Sequence, residues 1–252
     1  MEKLLMKKLS ILLSVLCIGC STSKIITSPQ NALNSKSILL LPSMNGIEIL
    51  TNRKEKVNEA ELGFLNQDVG NNVSEITSSF FMRNRIKLIR PNIKDSIKLA
   101  PIYEIWNYYE AFTKSKSGNP INYSSWNLKK MFNSIKVSDS LCTYIKSHKQ
   151  RYALSIITVG YLRSLKNNQY RKIDNVAKTL IFGIGAYSPL NGGWTAKSEN
   201  YTANYFILID AERKELAMFQ KKEDDFEATN KEKLQGQLNV GFEDFWLKYR
   251  YK

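Results

Sequence analysis

Histidine and cysteine are scarce. His148 is the only histidine in 252 residues, and the three cysteines stand at positions 17, 20 and 142. Zinc is held by several Cys, His or carboxylate ligands at characteristic spacing. No cysteine pair lies near His148, so no metal site is expected. Cys142 and His148 are six residues apart and fall on different helical faces, which speaks against a Cys–His nucleophilic pair. The nucleophile elbow G-x-S-x-G, the H-E-x-x-H helix and the Walker lysine loop are also missing. The apolar run from Leu9 to Ile18 is half the length a bilayer-spanning helix needs, which is about 20 residues. No internal repeat is visible. No cofactor is expected and no reaction is named, so a non-enzymatic role is the expectation.

What the chain does have begins at its N-terminus. Lys3, Lys7 and Lys8 precede the apolar run, and Gly19 precedes Cys20. A basic segment, a short apolar segment and a small residue at the cut are the parts of an export signal. The order Leu16-Cys17-Ile18-Gly19-Cys20 resembles a lipobox, with Cys17 where Leu is preferred. The resemblance implies removal of residues 1–19 and lipidation of Cys20, which gives a membrane partner through the N-terminal lipid. The alternative is an ordinary secretory signal. Cys142 is then left unpaired, and no disulfide framework supports the fold.

Loss of three lysines and Glu2 with the signal takes the formal charge from +14 to about +12. Such charge suits a solvated face, or a patch for anionic headgroups or cell-wall polymer. The lysines are dispersed rather than striped, so no nucleic-acid partner is expected. Hydrophobic residues make up 43% of the chain, enough for a packed core.

Residues 20–36 read as a lipidated polar tether, and 37–252 as one α/β domain. Ser37 to Pro42 (SILLLP) has the form of a buried strand. Leu62, Leu65, Val69, Val73, Ile76 and Phe80 recur at spacings of three and four, which predicts a long helix with one apolar stripe. Ile86 to Ile89 predicts a second strand, completing a βαβ unit. Ile102, Ile105, Trp106, Tyr109 and Phe112 predict a helix inside an aromatic-rich insertion at about 92–136, and 126–135 a further one. Ser138 or Asp139 caps a helix reaching about Ser147. Strands follow at 152–162, 179–187, 204–209 and 215–220, the last two joined by the turn 210–214. A capping box at Thr229 and Glu232 opens a final helix with the stripe Leu234, Leu238, Phe242, Phe245. The expected class is α/β: a mixed sheet packed with helices, with a βαβ start and an antiparallel finish.

Three segments carry candidate function. Trp106, Tyr108, Tyr109 and Trp126 form either core on the domain's own sheet or an exposed face for a partner, since Trp and Tyr are favoured at hot spots. Segment 179–209 brackets the Gly-rich stretch 183–193. Its two apolar β segments suggest a membrane-inserting hairpin, but their continuous rather than alternating apolar runs favour a buried sheet. Glu223, Asp224, Asp225 and Glu227 offer carboxylates for acid–base work or a cation, or a solvated loop whose charge favours the following helix N-terminus.

In order, the lipobox, ILLLP (38–42), the long helix ending before IKLIRP (86–91), YALSIITVGYL (152–162), the hairpin 204–219 and the last helix resemble a group of bacterial envelope lipoproteins. That group includes the curli-secretion channel subunit, the lipoprotein activators of penicillin-binding proteins, and proteins with a domain like the N-terminal one of TolB. The resemblance implies a periplasm-facing lipoprotein that binds an envelope protein or cell-wall polymer, and, as an alternative, a homo-oligomeric export-channel subunit. Ser21 after Cys20 implies the outer membrane.

Overall fold

The computed structural model describes residues 24–26, 37–51, 57–91, 104–113, 135–164 and 200–246. They form strands β1 (Lys24–Ile26), β2 (Ser37–Leu40), β3 (Met44–Leu50), β4 (Lys87–Ile89), β5 (Tyr152–Arg163), β6 (Tyr201–Asp210) and β7 (Glu215–Asp224). Among them lie helices α1 (Glu59–Arg83), α2 (Glu104–Thr113), α3 (Asp139–Ser147) and α4 (Lys231–Trp246). The seven strands make one mixed sheet in the order β1-β7-β6-β5-β2-β4, with β3 also pairing β5. The α/β expectation holds: β2 pairs β4 and β5 in parallel, while β5, β6 and β7 form an antiparallel meander.

The period-2 alternation of the central strands sends side chains to two different helical layers. Ile38, Leu154, Ile156, Phe206 and Leu208 pack under α1 and α4, against Val69, Val73, Phe80, Leu234 and Phe242. Leu39, Ala153, Ile157, Tyr205, Ile207 and Phe219 pack under α2 and α3, against Ile105, Leu141, Cys142 and Ile145. Both faces of the sheet are covered, which is why its strands read as continuous apolar runs.

Local chemistry sets the helix ends. Asn58 caps α1 by accepting from the backbone N–H of Ala60 at 3.1 Å, with Glu59 and Glu61 in the first turn. At the other end Arg85 takes a left-handed φ of 57°, and the N–H groups of Arg85 and Ile86 close onto Met82 O and Phe81 O, a Schellman termination without glycine. Of the two caps open for α3, Ser138 is the one used: its hydroxyl accepts from Leu141 N–H at 3.2 Å. For α4 the box at Thr229 is displaced by one residue. Asn230 accepts from Lys233 N–H at 3.1 Å, whereas the Thr229 hydroxyl donates to Glu227 at 2.7 Å.

Three features depart from the sequence reading. Met44–Leu50 is a strand, although Asn45, Gly46 and Glu48 interrupt its apolar pattern; it runs on from β2 along the same neighbour, β5. Leu40 faces Leu154 and Met44 faces Ile157, so three residues (41–43) oppose two. Pro42, which has no N–H to give a ladder, sits at this bulge. The outer edge of β3 is closed at Ile47, whose N–H and C=O both bond the Asn66 side chain of α1, at 2.9 and 3.1 Å. The second departure is β7, which continues past Gln220 through Lys221 and Lys222 to Asp224. The third is Lys24–Ile26. These residues fall in the expected tether, yet they pair antiparallel with β7, from Lys24 opposite Gln220 to Ile26 opposite Met218.

Candidate functional site

The α2 face of the sheet ends in an aromatic cluster. Along β5, Val159 and Tyr161 share this face; opposite them stand Ala203 and Tyr201 on β6, while on β7 Glu223 lies beyond Ala203 and Lys221 opposite Tyr205. Helix α2 lies over the inner part. Its period of 3.6 buries Ile105 and Tyr108, at 0% and 7% exposure, and leaves Trp106 and Tyr109 half-buried at the margin. Glu104, at the start of α2, accepts from both the backbone N–H (3.0 Å) and the hydroxyl of Ser138, which ties α2 to the cap of α3.

The rings form a continuous series. Trp106 lies 4.9 Å from Tyr109, Tyr109 meets Tyr205 edge-on at 4.8 Å, and Tyr205 lies 5.8 Å from Phe219. Tyr161 and Tyr201 stack at 5.8 Å nearer the sheet end. Edge-on and offset ring pairs are the arrangements the aromatic quadrupole favours. Cations flank them: the Arg163 guanidinium lies 5.5 Å from the Tyr161 ring, and the Lys221 ammonium 5.9 Å from that of Tyr205. Gly46 makes room, since a Cβ there would stand 3.3 Å from Trp106 and press on its ring.

Glu223 completes the cluster. It accepts from the Tyr201 hydroxyl and pairs with Lys221. Burial, and then the hydrogen bond to Glu223, push the Tyr201 phenol far above its ordinary range, so it remains a protonated donor. The carboxylates of the acidic run do not converge. Glu223 is engaged with Tyr201 and Lys221, Asp224 accepts from Asp225 N–H at 2.7 Å, and Glu227 holds Thr229. Among the described residues no group of three or more His, Cys, Asp or Glu is placed to hold a metal. Cys142 is buried in the α3 core, where desolvation raises its thiol pKa, and the His148 ring lies against Tyr144 at the C-terminal end of α3. The arrangement suits binding of a planar or apolar surface edged by charge.

Of the sequence candidates, Trp106 and Tyr109 come together at this margin. Tyr108 turns into the core and presents nothing to a partner. Cys20, Trp126 and the stretch 179–199 lie outside the described residues. Residues 204–209, the second half of the suggested inserting hairpin, are fully built into β6 at 5% exposure or less; they are sheet core rather than membrane element. Tyr161, Tyr201, Tyr205 and Lys221 escaped sequence reading because only pairing across strands brings them together. The one available signal was the alternation of Tyr201, Ala203 and Tyr205 on one face.

A smaller concavity of about 90 Å³ lies outside the carboxyl ends of β2 and β4, lined by Leu41, Pro42, Val73, Thr77, Arg90 and Pro91 among others. The Arg90 guanidinium closes one side by donating to Ser74 O at 3.1 Å and to the Ser78 hydroxyl.

No family model matches the chain, and neither does any curated protein. Among solved structures it is similar to the PelC dodecamer from Paraburkholderia phytofirmans, with a TM-score of 0.40 and 7% identity over 89% of this chain and 97% of that one. A point variant of the same dodecamer gives 0.36 and 8%, over 88% and 95%. Likeness at this level leaves function to be read from the chain's own residues.

Proposed function

We propose that this chain is a non-catalytic envelope lipoprotein, similar in kind to the lipoprotein group named above. In this reading Cys20 carries the lipid, the domain faces the periplasm from the outer membrane, and the aromatic margin of α2 captures an envelope protein or cell-wall polymer. The observation that carries the binding role is the series Trp106–Tyr109–Tyr205, half-buried at its outer end and flanked by the Lys221–Glu223 pair. Large, rigid aromatic surface beside a charged rim is the composition of a binding hot spot. Tyr109→Ala together with Trp106→Ala removes the outer rings while Ile105 and Tyr108 still hold α2.

The test is crosslinking in living cells from a photoreactive side chain at position 109 of the lipidated protein. One dominant envelope adduct, lost in the Trp106→Ala background with the fold intact, is the expected result. An unchanged adduct in that background refutes the aromatic site. Adducts only between copies of the chain, in a closed ring, would instead favour the oligomeric export channel. Metabolic labelling with a palmitate analogue checks the anchor: Cys20→Ser should abolish incorporation.

A further inference from the structure

We propose that the crevice outside β2 and β4 binds the C-terminus of a peptide. The free α-carboxylate meets Arg90, a short alkyl side chain enters the cavity, and the preceding main chain follows α1. This site lies on the α1 face of the sheet, opposite the aromatic margin, and stands independently of the lipoprotein reading.

Position comes first. After β2 the chain passes through β3 into α1, over one face; after β4 it continues to α2 and α3, over the other. Neighbouring parallel strands whose following helices part in this way leave a crevice at their carboxyl ends, where open α/β sheets bind ligands. Here that crevice is the cavity of about 90 Å³, with Leu40, Pro42, Val73, Pro91 and Ile156 giving it an apolar wall. The hydroxyls of Ser43 and Thr77 donate to the Gly70 and Val73 carbonyls, at 3.5 and 2.6 Å, and so add little polarity. A cavity that takes up an aromatic ring measures about 150 Å³; this one suits a branched alkyl group of a few carbons.

One charge stands at the mouth. Arg90 precedes Pro91, which favours an extended backbone there, and its exposed side chain turns back to α1. Its Nη2 donates to Ser74 O at 3.1 Å and to the Ser78 hydroxyl, and that hydroxyl donates to Ser74 O at 2.6 Å. The guanidinium is thus held through one nitrogen, while the hydrogens on Nε and Nη1 meet no acceptor among the described residues. No carboxylate pairs with it among them either. Glu75, the acid lining the adjoining groove, is engaged by Lys231 at 2.8 Å. A fixed, unpaired guanidinium beside an apolar cavity is complementary to a carboxylate next to a short alkyl group. The rest of the ligand follows from the groove. Asn71, Ser74, Ser78 and Met82 recur at three and four along α1 and line an open groove of about 430 Å³, which shares Ser74 and Arg90 with the cavity. Its amide and hydroxyls suit the N–H and C=O groups of an extended chain. A small carboxylic acid would leave this groove empty, so a peptide terminus is the source that fits.

The test uses the lipidated protein in detergent and the tetrapeptide Gly-Ser-Ala-Val, fluorescein-labelled at its N-terminus and read by anisotropy. The free acid should bind, and the C-terminal amide about tenfold more weakly. Arg90→Gln should weaken the acid by the same factor, leave the amide unchanged and keep Tm, because the side chain is exposed. Replacing the terminal Val of the peptide by Phe should weaken binding. Equal binding of acid and amide, an unchanged acid in Arg90→Gln, or no saturable binding up to about 1 mM overturns the site. Displacement of the peptide by an equal concentration of isobutyrate would assign the crevice to free carboxylates and overturn the peptide source. Binding should be the same in Trp106→Ala; its loss there would place the peptide on the aromatic margin instead.

Discussion

Phe242 is the residue that fastens the last helix, and its removal should be costly in a measurable way. Its ring is 2% exposed and lies 4.8 Å from Phe80, 5.4 Å from Phe81 and 5.2 Å from Phe206. These neighbours belong to α1 and to β6, so no single element can collapse into the space that Phe242→Ala leaves. Phe→Ala in cores costs about 3–5 kcal/mol, more where collapse is blocked, so about 4 kcal/mol is expected. For a domain of this size that lowers Tm by roughly 8–16 °C. Urea unfolding of the Cys20→Ser protein reads it directly: at a slope of roughly 2–3 kcal/mol/M the midpoint falls by about 1.5 M, with the slope itself unchanged. Val240→Ala, on the 48% exposed side of α4, should stay within about 0.5 kcal/mol. A loss below about 1 kcal/mol for Phe242→Ala would refute the docking of α4 between α1 and β6.

Three further outcomes follow from single residues. Asn230→Ala should cost about 1 kcal/mol and Thr229→Ala only a few tenths, because Asn230 holds the cap of α4; equal losses on thermal melting would restore the box at Thr229. Gln220 is fully buried with neither amide atom partnered among the described residues, so Gln220→Met should raise stability by about 1–3 kcal/mol in the same urea assay, and a destabilised variant would show the amide to be satisfied. Burial raises the Cys142 thiol pKa, so the folded state binds that proton more tightly; this stability is complete below the unfolded thiol pKa, about 8.5, and is lost as pH rises through the higher folded value. Between pH 8 and 10 the wild type should therefore lose more stability than Cys142→Ala, and iodoacetamide should modify Cys142 more slowly in native than in urea-unfolded protein; equal rates would mean an exposed thiol.

Most of the core was legible because its period is local. The 3.6 spacing of Val69, Val73, Ile76 and Phe80 places them all on the buried face of α1, and the runs at 38–41, 152–158 and 204–209 are buried strands. Features that depend on distant pairing were not. The strand β3 exists because β5 continues beyond Ile156 and offers a second half to pair with. The segment Lys221–Asp224 reads as solvated loop by composition. It is strand because Lys221 and Glu223 neutralise each other beside Tyr201, while Lys222 turns under α4 in line with Asn45, Thr158 and Asn204. In the aromatic segment, Ile105 and Tyr108 at a spacing of three mark the buried face, so Tyr108 could have been separated from Trp106 and Tyr109 by period alone. Tyr205 as the partner of Tyr109 could not.

Strand β7 connects these observations, since it carries both the Lys221–Glu223 pair and, at Met218 to Gln220, the edge to which β1 adds. Replacing Lys24–Ile26 by Gly-Ser-Gly should therefore separate anchoring distance from folding. A three-residue edge strand contributes little to a seven-stranded sheet, and isolated short pairings are marginal, so a Tm change of only a few degrees is expected. The link from Cys20 to Ser37 would then reach up to about 58 Å instead of holding the domain at about 14 Å. Limited proteolysis reads the difference, because an unpaired segment at 24–26 becomes a substrate. Cleavage there should rise sharply in the variant and be slow in the wild type, with the 37–246 core intact in both. Rapid cleavage of the wild type at 24–26 would mean that β1 does not hold in solution, and that the distance from lipid to sheet is set by the whole of 21–36.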